Sequence, residues 1–228
     1  MREPKSKLAA LMLLALSFSL SLPSGAQAES RYQRSEGEPG RFDYYAVALS
    51  WSPAFCATHD DPNQCAPGRQ AGFVLHGLWP QYERGYPQSC SRERLSGADI
   101  ARYAPLYPSP KLIGHEWSKH GTCSGLAPAA YFELSSKLRA QLQIPAPFQK
   151  PAQPVRTSYA DFTGAFKRAN PRLPENAVLP FCGGGGRFLN EIHACFSKDG
   201  AAMACGAAEV RRSQNTCRQG SFLIQSVR

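Results

Sequence analysis

The chain has 228 residues, eight cysteines and a formal net charge of +9. Its length fits one domain with a sizeable core better than two small ones, and beyond the first segment no apolar run approaches the roughly 20 residues of a membrane span. No two cysteines are spaced Cys-x-x-Cys, which counts against a zinc site, and the positive charge suits a polyanionic partner without establishing one, because the basic residues are scattered.

Residues 1–28 have the plan of a secretory signal: Arg2, Lys5 and Lys7, an apolar run from Leu8 to about Leu22, then an Ala-x-Ala site ending at Ala28. Cleavage there implies a secreted or periplasmic protein without membrane contact. In that oxidising compartment the eight cysteines are expected to form four disulfides, and composition alone leaves about 105 pairings open. Residues 29–41 are polar and aperiodic, a flexible leader, so order is expected from Phe42 in one domain over 42–228.

Strands are expected at Tyr44–Trp51, rich in aromatic and β-branched residues, and at Gly72–Trp79, which Pro80 ends. Helical spacing follows in Tyr131, Leu134, Ser135, Leu138 and Leu142 after Pro128, and again in Phe162 and Phe166 after Ser158. Between these helices, Pro145, Pro147, Pro151 and Pro154 keep Ile144–Thr157 an extended surface loop. Gly183–Gly186 lacks the ending of a phosphate loop and reads as a flexible connection. Further strands are expected at Phe188–Phe196 and Ser221–Val227. Strands and helices mix without βαβ regularity, so the fold class is α+β: a mainly antiparallel central sheet with packed helices, stapled by disulfides.

Two segments carry chemistry. His115-Glu116-Trp117-Ser118-Lys119-His120-Gly121-Thr122-Cys123 concentrates two imidazoles, a carboxylate and an ammonium. On a helix, Glu116 and His120 share a face, as do His115 and Lys119, and Gly121 lets the helix end. Zinc peptidases use His-Glu-x-x-His; here the second histidine comes one residue later, which puts the imidazoles roughly 140° apart and disfavours joint ligation. His76 interrupts the apolar run Phe73-Val74-Leu75. Strand alternation would place Phe73, Leu75 and Gly77 on one face and Val74, His76 and Leu78 on the other. A lone histidine there is usually a core residue; a second histidine cluster favours function. His59 and His193 lie outside both segments and read as structural or solvent-facing.

Phe73–Pro80 and His115–Cys123 resemble the two active-site signatures of the ribonuclease T2 family, and the likeness extends to Phe42–Cys56 and Leu189–Phe196. The resemblance implies an α+β fold and a monomeric endoribonuclease that cleaves single-stranded RNA, spares DNA and yields 2′,3′-cyclic phosphates and then 3′-phosphates. It implies Cys56–Cys65, Cys90–Cys123, Cys182–Cys217 and Cys195–Cys205, the last closing a hairpin turn at Ser197–Gly200. It assigns His120 as base and His76 as acid, Glu116 and Lys119 to the transition state, and His115 to phosphate. No cofactor or metal is called for, because the nucleophile is the substrate's 2′-hydroxyl. Trp79 offers a face for base stacking. Where relatives often carry an acid two places later this chain has Gln81, and the nearby aromatic is Tyr82 or Tyr86, so base preference stays open. Two alternatives are a catalytically silent RNA-binding member of the same fold, expected to have lost one essential histidine, and a zinc-dependent hydrolase.

Overall fold

The structure is a computed structural model that divides the chain into two units, Met1–Arg31 and Tyr32–Arg228. It describes Met1 and residues 34–227, so the expected signal segment lies outside the described residues except for Met1. The second unit begins with β1 (Arg34–Glu36), β2 (Tyr44–Trp51), α1 (Ser52–Cys56) and α2 (Pro62–Cys65). Next come β3 (Phe73–Gln81), β4 (Tyr86–Gln88), α3 (Gly97–Tyr103), α4 (Pro110–Lys119) and α5 (Pro128–Ala140). The chain continues through α6 (Ala146–Gln149), β5 (Val155–Thr157), α7 (Tyr159–Ala169), β6 (Val178–Gly183), β7 (Phe188–Phe196), α8 (Ala207–Thr216) and β8 (Phe222–Ile224).

The central sheet runs β3-β2-β7-β8-β5, with β6 also paired to β7. Its pairs are antiparallel except for β7 and β8, which meet in parallel at Phe188 and Leu223. The α+β expectation holds. Along β2 the side chains alternate: Tyr45, Val47, Leu49 and Trp51 enter the main core, which also holds Ile113 and Trp117 of α4, Tyr131 and Phe132 of α5, and Phe162 and Phe166 of α7. Burying each such phenylalanine contributes about 2 kcal/mol. The opposite face carries Tyr44, Ala46, Ala48 and Ser50 and is covered in part by α8 through Val210.

A bulge interrupts the β2–β3 ladder. Ala48 pairs with Gly77 and Leu49 with Leu75, leaving His76 as the extra residue. A bulge re-aims side chains, so Leu75 follows Leu49 into the core while Gly77 and Trp79 share the opposite face with Ala48 and Ala46. This corrects the simple alternation, under which Leu75 and Gly77 share a face.

Other departures have local causes. Within the leader expected to be loose, Arg34–Glu36 pairs in parallel with β4, and the Gly40 N–H donates to Cys123 O at 2.9 Å; main-chain bonds of this kind leave no side-chain period. The proline-rich loop contains α6, whose Pro147 sits in the first turn, where a missing N–H costs no bond, and it ends in β5. β8 is shorter than expected. β6 was hidden by Pro180, tolerated because β6 pairs on one side only. Gly184, Gly185 and Gly186 make the β6–β7 turn at positive φ.

The disulfides join Cys56 to Cys65, Cys90 to Cys123, Cys182 to Cys217 and Cys195 to Cys205, the pairing the resemblance implies. Cys90–Cys123 pins the single 3-10 turn, Gly121–Cys123, that follows α4. The Ser197–Gly200 turn is present, with Gly200 at φ +85°.

Candidate active site

Small residues on β2 make room for the site. Ala48 lies between Gly77 of β3 and His193 of β7, and Ser50 lies opposite Glu191. The flanking strands therefore project Trp79, Glu191 and His193 over a shallow floor, and the bulge adds His76.

His76 Nδ1 lies 3.1 Å from Ser50 Oγ and 3.2 Å from Glu191 Oε2. Its Nε2 lies 3.5 Å from Glu116 Oε1. Burial opposes a charge on this ring, but the hydrogen bond to Glu191 and the charges of Glu116 and Glu191 outweigh it, and the pKa is raised above the ordinary imidazole value.

Trp79 organises the centre. Its Nε1 donates to Glu116 Oε2 at 2.6 Å, its face stacks on the His120 ring at 4.9 Å, and His76 and His193 approach its edges at 5.0 Å. Gly77 is required here, because a Cβ would collide with the Glu116 carboxylate and the Trp79 nitrogen. Glu116 is 1% exposed; burial pushes its pKa up to about 7 against the pull of His76, Trp79 and Lys119.

His120 is the C-cap of α4, and its N–H donates to Glu116 O at 2.9 Å. The expected side-chain partnership is redirected: the Glu116 carboxylate turns to His76 and Trp79, not to His120. Burial first, then the charges of Lys119, His76, His115 and His193, hold His120 well below the ordinary imidazole pKa. Its Nδ1 is buried without a hydrogen-bond partner, which suits a neutral ring, since an imidazolium needs acceptors at both nitrogens. His115 is exposed on α4, its pKa lowered by burial, Lys119 and His76.

The sequence reading missed the groups behind His76. His193, read as structural or solvent-facing, is wholly buried: Nε2 meets Glu191 Oε1 at 3.0 Å and Nδ1 meets Glu209 Oε1 at 2.6 Å. Arg212 donates to both Glu209 oxygens, at 3.0 and 2.7 Å. The available clue was Glu191 and His193 two apart within an apolar strand, which places both on one face. His59, in contrast, is exposed and stacked on Phe55 at 4.3 Å.

The expected base-binding residues divide. Gln81 is 2% exposed and its amide donates to Pro80 O at 3.0 Å, so it is packed within the fold. Of the two tyrosines, Tyr86 stands beside His120 with ring centroids 5.8 Å apart, whereas the Tyr82 ring packs on the core. A cavity of about 250 Å³ opens beside His76 and is lined by Phe55, Asp61, Pro108, Ser109, Lys111 and His115 among others. A larger cavity of about 430 Å³ lies across Gln64 and has neither histidine nor carboxylate in its walls. Among the described residues no group of His, Cys, Asp and Glu suits a metal ion.

Comparisons with known proteins converge. The model of the ribonuclease T2 family matches residues 42–205. A ribonuclease of Aeromonas hydrophila is 43% identical over 206 residues, covering 86% of this chain and 91% of that protein. Among solved structures, a mutant of RNase MC1 in complex with 5′-GMP aligns with a TM-score of 0.58 at 25% identity, over 72% of this chain and 93% of its own. An RNase-related protein from Calystegia sepium shares the fold, with a TM-score of 0.66 at 18% identity over 85% of this chain and 100% of its own.

Proposed function

This chain belongs to the ribonuclease T2 family and is an endoribonuclease, and on that premise we propose that it cleaves single-stranded RNA by driving the ribose 2′-hydroxyl onto the adjacent phosphate. The supporting observation is two imidazoles in opposite surroundings around one indole: His76 lies between the carboxylates of Glu116 and Glu191, which draw its pKa up, while His120 is buried with Nδ1 unpartnered and its pKa is drawn down.

His120 takes the proton from the 2′-hydroxyl as the oxygen attacks phosphorus. His76 gives its Nε2 proton to the departing 5′-oxygen, leaving a 2′,3′-cyclic phosphate. In the second half the roles reverse: His76 draws a proton from water, and a 3′-phosphate results. Lys119 supplies positive charge toward the pentavalent phosphorane, and His115 offers it a ring N–H as hydrogen-bond donor. Glu116, against His76 Nε2 and anchored by Trp79, holds the acid in register. The cavity beside His76 receives a nucleotide next to the scissile phosphate, with Phe55 offering apolar contact and Lys111 and His115 facing phosphate. Trp79 acts chiefly by positioning Glu116 and His120, since its nitrogen is bonded to the one and its ring is stacked on the other. Residues 1–28 direct export, consistent with four disulfides.

The test is the product. A ribodinucleotide incubated with the enzyme in excess chelator is expected to yield 2′,3′-cyclic phosphate before 3′-phosphate, and the same dinucleotide lacking the 2′-hydroxyl is expected to survive. Products with 5′-phosphate ends, or cleavage of the deoxy analogue, would refute the proposal.

A further inference from the structure

Behind the site runs a line of alternating charges that the two-histidine mechanism does not use. From His76 it passes to Glu191 at 3.2 Å, to His193 at 3.0 Å, to Glu209 at 2.6 Å and to Arg212 at 2.7 Å. It joins the β3 bulge to two residues of β7 and two of α8; its two ends reach solvent, His76 at 32% and Arg212 at 36% side-chain exposure, while His193 and Glu209 between them are buried. His193 meets a carboxylate with each ring nitrogen, and only the imidazolium can donate from both. It is closed to substrate, being 0% exposed.

We propose that Glu191 and His193 are positioning residues for His76: Glu191 accepts from His76 Nδ1–H, fixing the ring so that Nε2 carries the proton to the leaving oxygen, and His193, clamped by Glu209 and Arg212, holds Glu191 ionised and in place. This rests on His76 being the acid. A carboxylate behind a histidine fixes its tautomer and supports its cation. The two carboxylates touching His76 show why His193 is needed. Glu116, buried with an indole donor as its anchor, has its pKa pushed up to about 7. Burial acts on Glu191 in the same direction, yet the bond to His193 and its charge, with those of His76, hold it well below the ordinary carboxylate range. Without a cation behind it, Glu191 would tend to the fate of Glu116.

The other charged groups facing His76 are Glu116 and His115 of α4, His120 after it, and Asp61 and Lys111 across the shared cavity. None of them changes in the variants that test the relay. In Glu191→Gln the His76 ring loses its anion, so its titration, followed by NMR of the imidazole Cε1–H, moves to lower pH. The alkaline limb of kcat/KM moves with it, and kcat falls about tenfold or more with KM little changed. In His193→Gln the amide can still donate to Glu191, but the cation that keeps Glu191 ionised is gone, so Glu191 tends to take up a proton and the same titration moves to lower pH by less than in Glu191→Gln. A graded displacement of the His76 titration in two folded variants, one of them altered at a residue that does not touch His76, is what a role in stability alone cannot give. Glu191, whose side chain is 21% exposed, carries the test if His193→Gln does not fold. An unmoved His76 titration in folded Glu191→Gln, in an enzyme that His76→Ala still inactivates, overturns the relay and leaves the mechanism standing; full activity of His76→Ala removes the mechanism itself.

Discussion

Trp79 holds Glu116 by a 2.6 Å hydrogen bond from its indole nitrogen while its ring lies stacked on His120, so one side chain fixes both a carboxylate and an imidazole of the candidate site. Trp79→Phe keeps an aromatic face and deletes the donor. A buried carboxylate stripped of its donor costs about 1–3 kcal/mol, and about 1.4 kcal/mol is tenfold in rate. The expected outcome is a kcat lower by about tenfold to a hundredfold with KM nearly constant. Steady-state kinetics on dinucleotides of each base decide it: a raised KM with unchanged kcat would make Trp79 a stacking platform for base instead.

Gly77 offers an independent route to the same carboxylate. A Cβ there would strike Glu116 and the indole nitrogen together, so Gly77→Ala is expected to fold, since the collision falls on side chains, and to lose at least about tenfold in kcat/KM through a displaced Glu116. Gly114→Ala is its control: nothing lies within 4 Å of a Cβ at that position in α4, and a gain of about 1 kcal/mol in stability with full activity is expected. Equal activity in the two variants would show that the Gly77 contact is not needed.

The strands that build the site were legible, and the site's depth was not. Tyr44–Trp51 and Phe188–Phe196 announce themselves by aromatic and β-branched content, and both form as expected. The bulge at His76 escaped because a period of two counts every residue as paired, and only the partner strand reveals that one is extra. The turn of the Glu116 carboxylate away from His120 escaped because helical spacing predicts a shared face and not a rotamer, which here is fixed by an indole 37 residues earlier in the chain. Glu191 lies 115 residues from His76, a separation that no local pattern bridges.

The relay also makes a claim on stability. Burial opposes ionisation of Glu209, but His193 and Arg212 hold its pKa at about 2. Its folded value is therefore depressed, and the stability this supplies is present above the ordinary value near 4.5 and lost as pH falls toward 2. Glu209→Gln leaves His193 buried beside one carboxylate, at a cost on the order of 3 kcal/mol near neutrality. Urea unfolding at several pH values should show the gap between native and variant closing below pH 4.5. A gap of constant size down to pH 2 would mean that Glu209 is not ionised in the folded protein.

The account's central claim is that His120 works neutral and His76 works protonated, and the pH dependence of kcat/KM on a single ribodinucleotide tests it most directly. With one pKa drawn below and the other above the ordinary imidazole value of about 6.5, the rate should rise with pH as His120 loses its proton and fall as His76 loses its own, giving a bell. Glu116→Gln removes a charge that supports the His76 cation, so only the alkaline limb should move, toward lower pH. A bell whose alkaline limb alone responds to Glu116→Gln is the predicted result; a native profile that climbs to a plateau above pH 8 without a second limb would contradict the paired assignment.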